Sequence, residues 1–162
     1  MGAMPRFLCD AMLGSLARWL RLMGFDTAYE AGGEDGELAR RAAEEGRWLL
    51  TRDRGLAAAG PRTVWIRAEA LEDQLVEVFE RLGLEPDPGC FGSRCAACNG
   101  VVRPVAREAV EGKVPPFVLA TVDGFRICEG CGRVYWRGSH VARIGERIGR
   151  VLDRLEAHRV PG

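Results

Sequence analysis

A chain of 162 residues and 17.8 kDa fits one ordinary domain or two small ones. With 47% apolar residues, 28% charged residues and no formal net charge, it is too hydrophobic and too balanced for a disordered chain. No apolar run nears the roughly 20 residues that cross a bilayer, and the opening MGAMPRF has neither a basic start nor an apolar stretch behind it. Membrane insertion and secretion are therefore disfavoured, and a soluble, cytoplasmic protein is expected.

The segment PRFLCD reads as a short strand ending at Asp10. In LGSLARWLRLMG the apolar residues Leu13, Leu16, Ala17, Leu20 and Met23 recur at helical spacing, Arg18 and Arg21 lie off that face, and Gly24 is placed to stop the helix. Phe25 to Tyr29 makes a second strand. After a glycine-rich turn, DGELARRAAEEG predicts a helix from Asp35 to Gly46. RWLLTRD is a third strand, closed by Asp53, followed by a helical turn near Leu56, a fourth strand in TVWIR and a helix in ALEDQLVEVFERLG. Strands alternating with helices predict a parallel sheet with helices on both faces.

From Glu85 the texture changes. PDPGCFGSRC is rich in turn residues, and periodicity returns only in SHVARIGERIGRVLDRLEAH, a helix through Val141, Ile144, Ile148, Val151, Leu152 and Leu155 with Ser139 as a candidate N-cap. A boundary near residue 88 gives two units, 1–88 as the α/β part and 89–162 as a second module ending in a helix. Charge divides in the same way. Residues 1–90 hold 11 arginines against 16 acids, net −5, and residues 91–162 hold 12 bases against 7 acids, net +5. The downstream half is the one suited to a polyanion.

Four of the six cysteines form two CxxC knuckles, Cys95/Cys98 and Cys128/Cys131, separated by 29 residues. Two such pairs complete the four-sulfur tetrahedron of a structural zinc site, and the strand character of VVRPVAREAV and FVLATVDGFRIC suits the hairpins of a zinc ribbon. Cys9 reads as a small buried apolar residue, and Cys90 as a substitute ligand at most.

Asp10 closes the first strand, Asp35 opens the second helix and Asp53 closes the third strand. In an open parallel sheet ligands gather beyond the carboxyl ends of the strands, so these three carboxylates are candidates for one cleft holding Mg²⁺ or Mn²⁺ on phosphate oxygens. The competing reading makes Asp35 and Asp53 ordinary caps. Thr51, Arg52 and Arg54 flank Asp53; the hydroxyl could support a ligand carboxylate, and the arginines could fork a phosphate or simply face solvent. Downstream, Arg133, Tyr135, Trp136, Arg137 and His140 mix rings with charge as a single-stranded nucleic acid requires, although the rings could equally pack the ribbon onto the α/β part. Arg143, Arg147, Arg150 and Arg154 form a basic stripe on the last helix, which leans toward nucleic acid over a solvated face.

The runs FLCDAMLGSLARWLRLMGFDTAY and EDGELARRAAEEGRWLLTRDRGL, the paired knuckles and YWRGSH together resemble the Mut-seven C-terminal RNase domain family, a PIN-like domain fused to a zinc ribbon, over roughly residues 5–155. The resemblance implies a PIN-like α/β fold and metal-dependent cleavage of RNA, with Asp10, Asp35 and Asp53 at the acidic positions. PIN nucleases commonly add a fourth acid near the end of the next strand. Here Ile66 and Arg67 stand there, with only Glu69 and Asp73 nearby. That departure keeps two alternatives open: an RNA-binding module without turnover, and a protein-interaction module docking through the last helix.

Overall fold

A computed structural model of the chain describes residues 3–159, the Ser139 side chain excepted, so the cap expected at Ser139 lies outside the described residues. Four short parallel strands, β1 (Phe7–Cys9), β2 (Thr27–Tyr29), β3 (Trp48–Thr51) and β4 (Thr63–Trp65), form one sheet in the order β2-β1-β3-β4. The register sets Leu8 beside both Ala28 and Leu49, and Thr51 beside Trp65. Side chains alternate across the sheet: Phe7, Cys9 and Leu50 enter one apolar cluster, Leu8 and Leu49 the other.

On the first face lie α1 (Gly14–Leu22) and α3 (Leu71–Leu82), which contribute Leu16, Leu20, Leu75 and Phe79. Phe25 meets Phe7 and Phe79 at centroid separations of 5.5 and 5.6 Å. On the second face α2 (Asp35–Glu45) covers the sheet with Leu38 and Ala42. A single 3-10 turn, Ala11–Leu13, leads into α1, and Asp10 caps it by accepting from the Met12 amide. Gly24 ends α1 with φ +93°, and a Cβ there would stand 2.4 Å from the Cys90 carbonyl oxygen, so only glycine lets the second module close on this corner.

That module is a three-stranded antiparallel sheet, β5 (Val102–Val105), β6 (Phe125–Cys128) and β7 (Val134–Trp136), in that order. Between β5 and β6 the chain departs from the strand expected over FVLAT. Pro116–Thr121 is a short helix, α4, because Pro115 and Pro116 preset its first turn while Val118 and Leu119 reach Val110, Val114 and Phe125.

The last helix, α5 (Ser139–Arg159), follows the ribbon in sequence but packs in space on α3, adding Ile148, Val151 and Leu155 to the core of the first sheet. No helix among the described residues is long and apolar enough to cross a membrane. Ion pairs flank the apolar seam: Arg147 and Arg150 meet Glu72, Arg154 meets Asp73, and Arg159 meets Glu85. Exposed pairs contribute at most about 1 kcal/mol each, whereas emptying a buried leucine site costs about 2–5 kcal/mol. Leu155→Ala is therefore expected to lower the thermal midpoint by several degrees and Arg154→Ala to leave it nearly unchanged, as differential scanning fluorimetry would record.

Candidate functional site

Two sites emerge, one of sulfur and one of oxygen. In the ribbon the turn before β5 and the turn at the end of β6 bring Cys95, Cys98, Cys128 and Cys131 together, their sulfurs all within 4.8 Å of one another. The Cys95–Cys131 and Cys98–Cys128 sulfurs are 3.7 and 3.4 Å apart. Four sulfurs at about 2.3 Å from a tetrahedral zinc would be about 3.8 Å apart, so the donor set and its spacing fit the ion. The amides of Gly100 and Gly130 point at the sulfurs of Cys98 and Cys128, each at 3.3 Å. A Cβ on Gly100 would stand 2.7 Å from the Cys128 sulfur.

The two thiols of the first knuckle are shifted in opposite directions. Burial opposes ionisation of Cys95, but hydrogen bonds from Tyr135 and from the amides of Cys98 and Ala97 draw its pKa down to about 6. The Gly100 amide favours the Cys98 thiolate, yet burial and the neighbouring sulfurs outweigh it and hold that pKa up at about 12. A divalent cation removes the conflict by stabilising every thiolate at once. Cys9 is fully buried in the first core, and Cys90 lies apart from the cluster beside Asp87.

The first knuckle also ties the two sheets together. Asn99, the last residue of its turn, adopts φ 71° and bridges Asp26 Oδ1, to which it donates at 2.7 Å, and the Thr27 amide, which donates to it at 2.9 Å. Arg47 and Arg6 donate to the same Asp26 carboxylate at 2.8 and 3.0 Å, and Arg21 reaches the carbonyls of Thr27 and Ala96. Burial works to raise the Asp26 pKa, but the bonds from Asn99, Arg47 and Arg6 outweigh it and hold the carboxyl well below the usual carboxylate range.

The oxygen site lies at the carboxyl edge of the parallel sheet. From β1 the chain turns to β2 on one side and later crosses to β3 on the other, so the topological switch point falls between β1 and β3. Asp10 and Asp53 leave the sheet on either side of this point. Asp10 is buried; its Oδ2 accepts from the Thr51 hydroxyl at 2.6 Å and the Arg52 amide at 3.0 Å, while Oδ1 accepts from the Met12 amide at 2.9 Å. The same Thr51 oxygen accepts from the Asp53 amide at 2.9 Å, and Asp53 Oδ1 accepts from the Gly55 amide at 2.8 Å. Thr51 thus couples the two acids. Asp35 is exposed on the first turn of α2, beyond the end of β2; its neighbour Glu34, not Asp35, holds the N-cap position. Among the described residues only the four cysteines gather three or more ligand atoms within 4.8 Å, so the carboxylates share an edge without forming a closed cage.

The remaining candidates fall elsewhere. Arg52 is drawn inward to the carbonyls of Arg67 and Ala68, and Arg54 stays exposed with its guanidinium 5.6 Å from the Trp65 ring. Tyr135 bonds the Cys95 sulfur, and Trp136 packs beside Val110, Val114 and Phe125. Both half-buried rings thus pack against the ribbon's own clusters. Arg133, Arg137, His140 and Arg143 are exposed. The basic stripe of α5 is largely neutralised by the acids of α3, an outcome that helix periodicity alone could not disclose, and Arg147 also lies 5.0 Å over Trp19. Near the expected fourth acid, Asp73 is engaged by Arg154, and the carboxylate facing the end of β4 is that of Glu77, which accepts from the Arg67 and Ala68 amides.

A four-stranded parallel sheet flanked by helices, joined to a zinc-ribbon-like four-cysteine module and closed by a C-terminal helix, defines the α/β class of this chain. The family model described as the Mut7-C RNAse domain matches residues 5–148, and the chain belongs to that family. No curated protein and no solved structure matches it.

Proposed function

We propose that the protein is a divalent-metal-dependent ribonuclease that hydrolyses phosphodiester bonds in single-stranded RNA, with a zinc ribbon assisting binding and two units meeting near residue 88. The observation that carries this reading is the emergence of Asp10 and Asp53 on either side of the switch point, coupled through Thr51. Mg²⁺ needs no closed cage; one or two carboxylates, waters and substrate phosphate suffice, so a hard-oxygen edge of this kind fits it or Mn²⁺. Such an ion supplies a Lewis acid for phosphate oxygens and lowers the pKa of water at neutral pH. The chain's own contribution is to hold Asp10 in one orientation through Thr51, Arg52 and Met12, to fix Asp53 through Gly55, and to offer Asp35 from the β2 side.

A binding module without turnover has two observations in its favour: Asp10 Oδ2 already accepts two bonds, and the three acids form no metal-holding group among the described residues. Incubation of the zinc-loaded protein with labelled mixed-sequence RNA decides between the two. Cleavage is expected with added Mg²⁺ or Mn²⁺, with a loss of at least about a hundredfold in Asp53→Asn. Retained RNA binding with no cleavage under any divalent ion would establish the binding module instead.

A further inference from the structure

We infer that Arg54, Trp65 and Arg67 form a subsite for the RNA strand, with the two guanidinium groups taking phosphates and the indole face taking a base. The inference rests on the RNA reading above and supplies a docking path that reading lacks. Trp65 ends the edge strand β4 and stands in register with Thr51, the residue that couples Asp10 to Asp53. Adjacent strands lie about 4.8 Å apart, so the indole begins one strand away from Asp53 and two from Asp10. Its Nε1 donates to the Arg52 carbonyl at 3.3 Å, which pins the ring at the strand end. Arg54 and Arg67 approach the same ring, their guanidinium carbons 5.6 and 4.8 Å from its centroid.

Among the described residues neither the Arg54 nor the Arg67 guanidinium pairs with a carboxylate within 4.0 Å, and both residues are exposed, in contrast to Arg81 and the arginines of α5 that pair with α3. Two unneutralised charges held against a ring are partly preorganised, and arginine forks match phosphate. The loop that carries Arg67 is fixed from both sides, by Arg52 on its carbonyls and by Glu77 on its amides. Rings flanked by arginines suit unpaired bases, whose faces are open, whereas a duplex hides them.

The test is fluorescence anisotropy of a labelled single-stranded RNA, with no divalent ion added, over a range of salt concentrations. Arg54→Gln/Arg67→Gln is expected to weaken binding at least about tenfold and to flatten the log–log salt slope by about 1.4, at about 0.7 per phosphate contact. Trp65→Leu is expected to lose about tenfold and Trp65→Phe to recover most of it, while Arg150→Gln/Arg154→Gln, at arginines already paired with Glu72 and Asp73, stays within about twofold of wild type. If Trp65→Leu fails to fold, the double arginine variant, altered only at exposed positions, decides. Wild-type affinity and slope in that variant, an equal loss in the α5 variant, or no RNA binding by the wild type would overturn the subsite. Cleavage that proceeds while binding ignores Arg54 and Arg67 would leave the ribonuclease reading standing without it. The expected binding pattern without cleavage would do the reverse.

Discussion

Stripping metal from the four-cysteine cluster, or replacing Cys98 by Ser, is expected to open the ribbon between about residues 91 and 138 while the parallel sheet and α5 stay folded. The ribbon's apolar content is two small clusters, one around Val102 and Tyr135 and one around Val110 and Phe125, too little to hold a sheet of this size unaided. Structural zinc contributes about 10–16 kcal/mol in isolated fingers, far more than either cluster. The opened segment is a loop whose ends remain anchored, and closure entropy rises only slowly with loop length, so α5 keeps its place on α3. Limited proteolysis should cut within the ribbon and spare the flanking elements. Gly100→Ala should weaken zinc retention as well, since its Cβ would press on the Cys128 sulfur. A chelated protein whose ribbon resists protease as the holoprotein does would contradict this account.

The second large effect is expected at Asp26. Its carboxylate is only 18% exposed and joins Arg6, Arg47 and Asn99, and the Arg47 side chain is 8% exposed. Asp26→Asn leaves that guanidinium with Glu45 as its one remaining carboxylate partner, and breaking one partner of a buried pair costs up to about 3–5 kcal/mol. For a chain of this length that is a fall of roughly 6–20 °C in the melting midpoint. The folded carboxyl titrates below its unfolded value, so its stabilisation is complete above about pH 4–5 and is lost as the pH falls through the carboxylate range and below. Urea unfolding should therefore show the wild type losing more stability than Asp26→Asn between about pH 5 and pH 2. Parallel curves would show that the network carries no net pH-dependent stabilisation.

Local pattern made much of this architecture legible. The alternation of short apolar runs with helical spacing marks each of the four parallel strands and the helices between them, and Gly46 and Gly83 end their helices in the left-handed conformation that glycine allows. The CxxC spacing is itself the geometry of the sulfur cluster. What local pattern cannot carry is charge compensation between distant segments. Arg150 and Glu72 are far apart in the chain, and a stripe that looks basic on one helix becomes neutral only when α3 lies beside it. Asp26 likewise looks like an ordinary residue before a strand until Asn99 and Arg47 arrive. Trp65 is one aromatic residue in a short strand; its meaning comes from the register that puts it beside Thr51.

In the proposed reaction Asp10 and Asp53 hold a divalent ion on the scissile phosphate. The most direct measurement replaces one non-bridging phosphate oxygen of an RNA substrate by sulfur and follows single-turnover cleavage of each stereoisomer in Mg²⁺ and then in Mn²⁺. Mg²⁺ is a hard ion that disfavours sulfur, and Mn²⁺ tolerates it better. One isomer should be cleaved at least about tenfold more slowly in Mg²⁺ and recover in Mn²⁺, with both rates lost in Asp10→Asn. Equal cleavage of oxygen and sulfur substrates in Mg²⁺, or wild-type cleavage by Asp10→Asn, would contradict the account.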